Sequence, residues 1–150
     1  MYENINFLDL NEDEIKLVLS WRNSPSIKKW MHTKKDISLE THLNFIKSLK
    51  NNSKKDYFLV KKEDEYLGVI DLNNEFLGIY ANPNKKRVGD ILLNEIIKFA
   101  FERKRIEYLK AEVYKINSSA IKLYSRFGFE TKQDDGIMLT MELNCENRKF

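Results

Sequence analysis

Residues 76–101 constrain the fold of this chain more than any other stretch. An apolar run over 76–81 predicts a β-strand, a short basic loop follows, and a long amphipathic helix is predicted to begin at Val88-Gly89. A strand that turns directly into a helix gathers free backbone N–H groups and the positive end of the helix dipole at one point. Residues 85–87 add three cationic side chains there. This combination is typical of a phosphate-binding turn.

Length and composition indicate one cytoplasmic domain. The chain has 150 residues, of which 42% are hydrophobic and 33% charged, an ordinary globular mixture that is large enough for its own core. We therefore expect a single domain over residues 1–150. The lone cysteine, Cys145, allows no internal disulfide and suits a reducing compartment. The first residues carry no basic and apolar signal segment, so we expect a cytoplasmic protein.

Hydropathy and charge argue against two kinds of partner. No run approaches the roughly 20 apolar residues that a bilayer span requires, so no membrane partner is expected. The net charge of +3 is spread among many acidic residues rather than collected into a basic face, and we expect no nucleic-acid partner. A nucleic-acid-binding role therefore ranks last among the functions considered.

Strand and helix patterns follow one another along the chain. The predicted helices run from the Asn11 cap to 22, from the Ser38 cap to 49, from 88 to 101, and from 118 to 127. The predicted strands are 2–8, 57–61, 66–72, 76–81, 108–114, 129–133 and 137–143. Residues 26–35 are expected to be short and irregular, and the polar tail 144–150 to be loosely ordered. This order predicts an α+β domain with a mixed sheet.

Two spaced motifs stand in the second half of the chain. Residues 79–97 contain a strand, a Pro, a basic loop, a Gly and a helix, and residues 117–129 spell Asn-x-x-Ala-x-x-x-Tyr-x-x-x-Gly-Phe, preceded by Glu112-Val113. In these residues the chain resembles the GNAT superfamily of acyl-CoA-dependent N-acetyltransferases. The basic loop departs from the family pattern, with Asn84 where Gln or Arg is usual and Arg87 where Gly is usual. An arginine there can still present its N–H if its φ stays negative.

The resemblance implies the GNAT-like acyl-CoA N-acyltransferase fold, a mixed and mostly antiparallel sheet that is splayed between two central strands and flanked by helices. Those strands are 76–81 and 108–114, and the pantetheine arm of acetyl-CoA, the cosubstrate, would fill the gap between them. No metal is implied. The implied cofactor-binding residues are Ile79 and Ala81 through backbone groups, Lys86, Arg87, Val88, Gly89 and Asp90 around the pyrophosphate, with Lys85 as a further charge, and Asn117 and Lys122 in the second motif.

The resemblance also implies the chemical roles. Tyr124 is the general acid beside the sulfur, the N–H of Ala81, on the bulged end of its strand, stabilises the oxyanion, and Glu112 is the candidate general base. Glu112 lies twelve positions before Tyr124, as a catalytic Glu does in ribosomal-protein acetyltransferases of the superfamily. Two structural alternatives stay open: Tyr124 can be core packing, and Glu112 can pair with Lys110 or Lys115 on a surface strand.

The acceptor site is expected in the amino-terminal third, with one residue of the central strand added. Its candidate residues are Arg22, Trp30, Met31, His42, Phe45 and Tyr80. This segment resembles the sugar-nucleotide branch, most closely the enzymes that N-acetylate UDP-4-amino-4,6-dideoxy-β-L-AltNAc in pseudaminic acid biosynthesis for flagellin glycosylation. Arginine can bind a diphosphate, and aromatic or methionine side chains can cover a uracil ring or a 6-deoxy methyl group. A core position is the alternative for His42 and for the aromatic residues, Trp21 included.

Other functions stay open at this point. Within the superfamily, the chain can be a ribosomal-protein or peptide N-terminal acetyltransferase, and outside it a non-catalytic acyl-CoA sensor. The preferred interpretation is direct attack of the 4-amino group of a UDP-amino sugar on the acetyl-CoA thioester. The sequence is also compatible with a homodimer.

Overall fold

A mixed sheet of seven strands forms the centre of the structure, a computed structural model that describes residues 1–148. Its strands are β1 (Glu3–Asn6), β2 (Lys55–Lys62), β3 (Glu65–Asn73), β4 (Phe76–Ala81), β5 (Tyr108–Tyr114), β6 (Glu130–Asp134) and β7 (Met138–Asn144). They lie in the order β1-β2-β3-β4-β5-β7-β6, and β4 and β5 are the parallel pair among otherwise antiparallel neighbours. Short turns join β2 to β3 and β3 to β4, which is why those pairs are antiparallel.

In the described range, five α-helices cover the two faces of the sheet. They are α1 (Glu12–Arg22), α2 (Pro25–Lys28), α3 (Leu39–Ser48), α4 (Gly89–Lys98) and α5 (Ser118–Arg126). The Asn11 side chain accepts a hydrogen bond from Glu14 N–H at 2.8 Å, and the Glu14 side chain accepts one from Asn11 N–H at 3.0 Å, so α1 begins with a capping box. None of these helices is long and apolar enough to span a bilayer.

Two hydrophobic cores lie on opposite faces of the sheet. Successive strand residues point to opposite faces, so Ile70 joins the core under α4 and α5 while Val69 joins the core under α1 and α3. The same alternation places Asp71 on the face that carries α1 and α3. On β5, Val113 packs in the core under α4 and α5, which directs Glu112 toward the opposite face. Polar residues from two strands therefore face α1 and α3.

The structure corrects two local predictions near the amino terminus. The predicted strand 2–8 is a strand over Glu3–Asn6 only, because the Asn6 side chain accepts a hydrogen bond from Leu8 N–H at 2.9 Å and caps a 3₁₀ turn. The segment 26–35, predicted to be irregular, includes most of α2, whose proline at the first helical position suits a helix start.

The carboxy-terminal segment is more ordered than predicted. Residues Cys145–Asn147 form a 3₁₀ turn, and Cys145 N–H donates to Glu107 O at 2.9 Å. Arg148 forms an ion pair of 2.8 Å with Glu102. These contacts tie the segment to the loop before β5. The rest of that prediction, residues 149–150, lies outside the described residues.

The parallel contact between β4 and β5 is short, and this opens the sheet. In the described chain, Phe76 and Lys110 are the one pair in register there, beside a hydrogen bond of 2.8 Å from Lys110 N–H to Glu75 O. Beyond this pair β4 stays bonded to β3, and β5 to β7, so the two central strands diverge. The predicted α+β class, mixed sheet and splay between the central strands are confirmed.

Candidate active site

A cavity of about 790 Å³ lies where β4 and β5 diverge. The predicted residues that line it are Arg22, Trp30, Met31, His42, Phe45, Ile79, Tyr80, Ala81, Lys85, Glu112, Asn117 and Tyr124. We call the part lined by Arg22, Trp30, His42, Phe45 and Tyr80 the acceptor chamber. The predicted residues that lie outside the lining are Lys86, Arg87, Val88, Gly89 and Asp90, at the start of α4, and Lys122, exposed on α5.

The open edge of β4 follows from strand alternation. Asn82 N–H donates to Leu67 O of β3 at 2.9 Å, so the backbone groups of Tyr80, two residues earlier, also point toward β3. The N–H and C=O groups of Ile79 and Ala81 therefore point into the gap, where β5 no longer pairs with β4. An extended ligand that carries amide groups can bind this edge as an added strand.

The bulge expected at the end of β4 lies on the neighbouring strand instead. β4 pairs with β3 in unbroken register over Phe76–Ala81, whereas the register between β2 and β3 shifts where Leu67 is the extra residue. Asn82 anchors the end of β4 to this bulge through its N–H bond to Leu67 O and a side-chain bond of 2.9 Å to Tyr66 O. The Ala81 N–H thus reaches the gap through regular strand geometry.

The loop between β4 and α4 ends in exposed backbone donors. Val88 is the N-cap of α4 and its C=O accepts from Leu92 N–H, so the N–H groups of residues 89–91 have no acceptor within the helix. The cap makes no side-chain hydrogen bond to them. Arg87 has a φ of +62°, and Val88 returns to the right-handed region. This alternation turns successive N–H groups to one side, a geometry that is typical of backbone concavities that bind anions.

The backbone at Arg87 contradicts the expectation of a negative φ. Glycine, which the family usually has here, adopts a positive φ without strain. For arginine the left-handed conformation costs roughly 1–2 kcal/mol, because Cβ approaches the following carbonyl oxygen. The turn therefore has a glycine-like conformation although residue 87 carries a side chain.

Two charged residues of this loop and helix start already have partners. Lys85 Nζ lies 2.7 Å from Glu65 Oε1, and Asp90 pairs with Arg126 at the end of α5. The second pair neutralises a carboxylate that would repel a phosphate at the helix start. The other two basic side chains of the loop are exposed and form no ion pair with a described residue, and the Val88 side chain is buried in the core.

Tyr124 belongs to the core under α4 and α5 and also lines the cavity. It is 6% exposed, and its ring lies 5.4 Å from that of Phe129. Burial, and to a smaller extent the charge of Asp71, raises the pKa of Tyr124 above its ordinary value of 10.0. The phenol therefore holds its proton at neutral pH, the state that a general acid needs.

Glu112 is exposed on β5 and lines the cavity. The two lysines considered as its partners are engaged elsewhere, Lys110 with Glu75 and Lys115 with Asp134, each at 2.8 Å. Among the described residues, Glu112 takes part in no ion pair. The alternative of surface pairing with these lysines is therefore not observed.

Asn117 has one structural role and one free group. Its Oδ1 accepts a hydrogen bond from Ala120 N–H at 3.3 Å and caps α5. Its Nδ2 forms no bond to another described residue, and the side chain lines the cavity. An amide NH₂ group has two protons to donate, so this residue can hold a carbonyl in the gap.

Two buried nitrogen atoms of the acceptor chamber lack partners within the described chain. Arg22 Nη2 donates to Thr33 O at 2.9 Å, which fixes the guanidinium, but Nη1 is buried without a hydrogen bond. His42 hydrogen-bonds to the backbone of Ile15, and its Nε2 is likewise unpaired. Because buried polar atoms in native proteins nearly always have partners, both nitrogens indicate a polar ligand.

The two groups differ in charge. Burial lowers the pKa of His42 below 6.5, so the ring is neutral at pH 7 and Nε2 is a hydrogen-bond acceptor. Burial also lowers the pKa of Arg22 from 12.5, with the neighbouring Tyr80 acting in the opposite direction, and a guanidinium keeps its charge. The chamber thus offers one cation and one neutral acceptor.

Aromatic side chains form the rest of the acceptor chamber. The Trp30 ring lies 6.0 Å from that of Tyr114, and the Phe45 ring meets Tyr57 edge-on at 4.9 Å. Met31 lines the cavity beside them. Trp21, in contrast, is 4% exposed and packs in the core under α1 and α3, so for that residue the structural alternative holds.

Tyr57, Asp71 and Tyr114 are among the lining residues that were not predicted from the sequence as part of the site. Asp71 stands alone in the apolar run Val69-Ile70-Asp71-Leu72 of a predicted strand. A lone carboxylate in such a run is a signal that could have identified it, because Asp is seldom buried without a reason. The two tyrosines carry no comparable signal, since aromatic residues are common in strands.

Known proteins match this chain over most of its length. Residues 9–136 match the family model of the acetyltransferase (GNAT) domain. The acetyltransferase PseH of Campylobacter jejuni subsp. jejuni serotype O:23/36 is 48% identical over 136 residues, which are 87% of this chain and 85% of that protein. The acetyltransferase PseH of serotype O:2 is 46% identical over the same shares of the two chains.

Solved structures show the same architecture. The crystal structure of the Campylobacter jejuni N-acetyltransferase PseH in complex with acetyl coenzyme A has a TM-score of 0.83 at 39% identity, and the match covers 97% of this chain and 99% of that one. The spermidine N-acetyltransferase of Vibrio cholerae in complex with CoA and spermine also has a TM-score of 0.83, at 14% identity, over 98% and 96% of the chains. The second likeness shows the fold alone.

Proposed function

Because this chain belongs to the GNAT acetyltransferase family and is an acetyl-CoA-dependent N-acetyltransferase, we propose that it acetylates the 4-amino group of a UDP-linked 4-amino-4,6-dideoxy-N-acetylhexosamine. The acceptor is UDP-4-amino-4,6-dideoxy-β-L-AltNAc, and the reaction is the N-acetylation step of pseudaminic acid biosynthesis for flagellin glycosylation. The proposal is supported by the 48% identity to an acetyltransferase PseH and by the make-up of the acceptor chamber.

The unpaired Nη1 of Arg22 is the observation that carries the choice of acceptor. A diphosphate supplies the oxygen that this buried N–H group lacks, and a fixed guanidinium binds phosphate in a forked geometry. A polyamine or a peptide amino terminus supplies no phosphate oxygen for this buried N–H group. The chamber therefore favours an anionic acceptor.

The uncharged groups of the chamber suit the rest of this acceptor. Nε2 of the neutral His42 accepts a hydrogen bond from a sugar hydroxyl rather than supplying charge to a phosphate. Trp30 and Phe45 provide flat apolar faces, and Met31 and Tyr80 line the wall between them and the gap. Such faces suit a uracil ring and a 6-deoxy methyl group.

The other end of the cavity fits acetyl-CoA. The open backbone edge at Ile79 and Ala81 can bond the pantetheine arm, and Asn117 Nδ2 can donate to it from the opposite side. The free N–H groups from Lys86 to Asp90, with the Lys86 and Arg87 side chains, form the proposed pyrophosphate site, and Lys122 is a proposed outer contact. Bound acetyl-CoA supplies the thioester, which the amine attacks directly.

Three protein groups handle charge and protons during the transfer. The Ala81 N–H donates to the thioester oxygen as that oxygen gains negative charge. Tyr124, which is protonated at neutral pH, gives its proton to the departing sulfur. Glu112, which is free of ion pairs in the described chain and faces the acceptor side, takes a proton from the reacting nitrogen directly or through water.

A CoA-release assay tests the acceptor. Acetyl-CoA is supplied with a panel of UDP-4-amino sugars, spermidine and peptides with free amino termini, and we expect turnover with the UDP-amino sugar alone. UDP should also raise the melting temperature, because a ligand that binds the folded state stabilises it. Turnover with peptides or spermidine only, and no stabilisation by UDP, would remove the sugar assignment. Binding of acetyl-CoA without any turnover would favour an acyl-CoA sensor.

The proposed setting is the cytoplasm, where the exposed thiol of Cys145 stays reduced. We propose a homodimer as the assembly, to be tested by light scattering on the purified protein. Neither a membrane nor a nucleic acid takes part in the proposed reaction.

A further inference from the structure

The wall of the cavity contains a carboxylate that the reaction above does not use. Asp71 lies on β3, on the face of the sheet that carries α1 and α3, and it lines the cavity with Tyr57 and Tyr80. Within the described chain its side chain forms no hydrogen bond and no ion pair. The charge of Lys55 on β2 acts on it from a distance. An unpaired carboxylate in a cavity wall indicates a function rather than a structural contact.

Gly78 allows this carboxylate to extend across β4. Asp71 and Gly78 are direct partners in the register between β3 and β4. A Cβ built at residue 78 would lie 2.8 Å from Asp71 Cγ and 2.9 Å from Oδ1, distances that no real side chain keeps. The carboxylate therefore lies over the glycine, directed toward the edge of β4 that borders the gap.

The same position places Asp71 among the reacting groups. Burial, and to a smaller extent the charge of Asp71, raises the pKa of three tyrosines on three different elements, Tyr57 on β2, Tyr80 on β4 and Tyr124 on α5. Arg22 acts on Tyr80 from the acceptor chamber, and Glu112 lines the cavity from β5. Asp71 thus lines the same cavity as Arg22 of the acceptor chamber and the phenol proposed to protonate the sulfur.

We propose that Asp71 binds the ammonium form of the acceptor's 4-amino group and takes its first proton. This inference rests on the proposed function. One N–H bond of R–NH₃⁺ breaks, its electron pair stays on nitrogen as the nucleophile, and the proton moves to a carboxylate oxygen of Asp71. After the C–N bond forms, the nitrogen releases a second proton, and this is the one that Glu112 receives. One carboxylate therefore prepares the amine and the other completes the amide.

The environment of Asp71 suits this exchange. Burial raises the pKa of Asp71 from an ordinary 3.8 to about 7, with the charge of Lys55 acting in the opposite direction. A carboxylate with an ordinary pKa would hold the ammonium as an ion pair and leave it protonated. One that takes up a proton near neutral pH can accept it from an amine and release it again to solvent.

Binding without acetyl-CoA is the first test, since it needs no turnover. Calorimetry compares the UDP-4-amino sugar with UDP-N-acetylglucosamine, which has no free amine, on the wild type, Asp71→Asn and Glu112→Gln. We expect Asp71→Asn to weaken binding of the amino sugar about tenfold or more, as for loss of a charged hydrogen bond. UDP-N-acetylglucosamine should bind both variants within about threefold of the wild type. Equal effects on the two ligands would overturn the proposal.

The pH profile of kcat/KM is the second test. The wild type should lose activity on the acid side with a midpoint near 7, and Asp71→Asn should lower kcat/KM about 100-fold and displace this limb. Protonation of the amine itself contributes equally in all variants. An unchanged limb in Asp71→Asn would overturn the proposal and leave Glu112 as the one base. A wild type that neither binds nor acetylates the UDP-amino sugar would instead overturn the proposed function.

Gly78→Ala provides an independent variant that keeps the carboxylate. The added methyl group would occupy the space of the Asp71 side chain, so we expect it to displace the carboxylate and to reduce kcat/KM as Asp71→Asn does. Acetyl-CoA binding, measured in parallel, should stay within about threefold and shows that the variant is folded. Full activity of Gly78→Ala with the UDP-amino sugar would contradict the assigned position of Asp71.

Discussion

The two ends of the cavity offer different kinds of binding group. At the end proposed to bind acetyl-CoA, these are backbone N–H and C=O groups of β4 and of the first turn of α4, and the Lys86 and Arg87 side chains beside them are exposed. At the acceptor end they are side chains from several helices and strands, two of which keep buried nitrogens without partners in the described chain. Backbone N–H groups keep their directions as long as the turn keeps its conformation, and the turn does so here although residue 87 is arginine rather than glycine. A site made of side chains, in contrast, can be altered by one substitution. The first end can therefore serve a whole family while the second selects the acceptor.

Tyr124→Phe tests the point where the two ends meet and has the largest expected effect. Removing the phenol proton should lower kcat by about 100-fold or more, as for loss of a general acid, because the sulfur must then leave without a donor. KM for both substrates should change less than about threefold, since the ring keeps its place in the core. Tyr108→Phe, an exposed tyrosine on β5 that is outside the cavity lining, is the matched control. A kcat within threefold of wild type would remove Tyr124 from the mechanism.

Asp71→Asn sharpens the comparison, because it measures how much the buried carboxylate at the acceptor end lowers the free energy of unfolding. Between about pH 4 and pH 7 the folded protein keeps a proton on Asp71 that the unfolded chain has released, so the free energy of unfolding falls as pH rises through this window. The pKa shift of Asp71 sets an upper limit of about 4 kcal/mol on this loss of unfolding free energy. Because solvent enters the cavity and screens the charge, we expect a loss of about half that value.

Urea unfolding at several pH values measures the effect. Asp71→Asn should be about 2 kcal/mol more stable than wild type at pH 8 and equal to it near pH 4. Glu112→Gln, which replaces an exposed carboxylate of the same cavity, is the control and should change little at either pH. If Asp71→Asn is less stable than wild type at pH 8, the ionised Asp71 carboxylate does not destabilise the folded protein, and the prediction is wrong.

Arg22→Gln should weaken binding at the acceptor end and leave binding at the acetyl-CoA end unchanged. Loss of a charge-assisted contact to the diphosphate should raise KM for the UDP-amino sugar by roughly 10- to 100-fold. KM for acetyl-CoA should stay unchanged, because Arg22 lies on α1 and the pyrophosphate site lies at the start of α4. Arg103→Gln, an exposed arginine outside the lining, serves as control. Equal increases in both KM values would indicate a general loss of structure rather than a lost acceptor contact.

Arg87→Gly and Arg87→Ala together test the backbone end and have the smallest effect. Both remove the charge, but only glycine relieves the positive φ, so Arg87→Gly should be about 0.5–1 kcal/mol more stable than Arg87→Ala after the greater entropy of unfolded glycine is subtracted. If the backbone N–H groups supply most of the affinity for the pyrophosphate and the exposed Arg87 side chain adds only a screened charge, both variants should bind acetyl-CoA within about threefold of wild type. A tenfold loss in both would assign the binding to the side chain.

The sequence predicts the elements that depend on local patterns. Both central strands, Phe76–Ala81 and Tyr108–Tyr114, have the predicted bounds, because uninterrupted β-favouring runs end there at turn residues. The Asn11 and Ser38 caps are also found as predicted, since a cap needs only its own next residues. The positive φ at Arg87 could not be predicted in this way, because no glycine marks it.

The parts of the site that the sequence does not predict depend on contacts between distant residues. Asp71 becomes a cavity residue because the register of β3 and β4 sets it opposite Gly78. Within the described chain, Thr33 O accepts from Arg22 Nη2 and fixes the guanidinium, while Nη1 is left unpaired. Neither fact follows from spacing along the chain. The resemblance to a known family indicated part of the cavity lining, Tyr124 and Asn117 included, but neither Asp71 nor how each residue is held there.

Within residues 1–148, one registered pair joins β4 to β5, and this has a mechanical consequence. The strands β1 to β4 and the strands β5 to β7 form two groups that pair with each other near Phe76 and Lys110 in the described chain. Packing in the two hydrophobic cores must therefore hold the two groups in one sheet. A pantetheine arm that hydrogen-bonds to both β4 and β5 would bridge the gap between the two groups of strands. Amide hydrogen exchange along Ile79 to Ala81 should then slow when acetyl-CoA binds, and the cosubstrate would act as a temporary eighth strand.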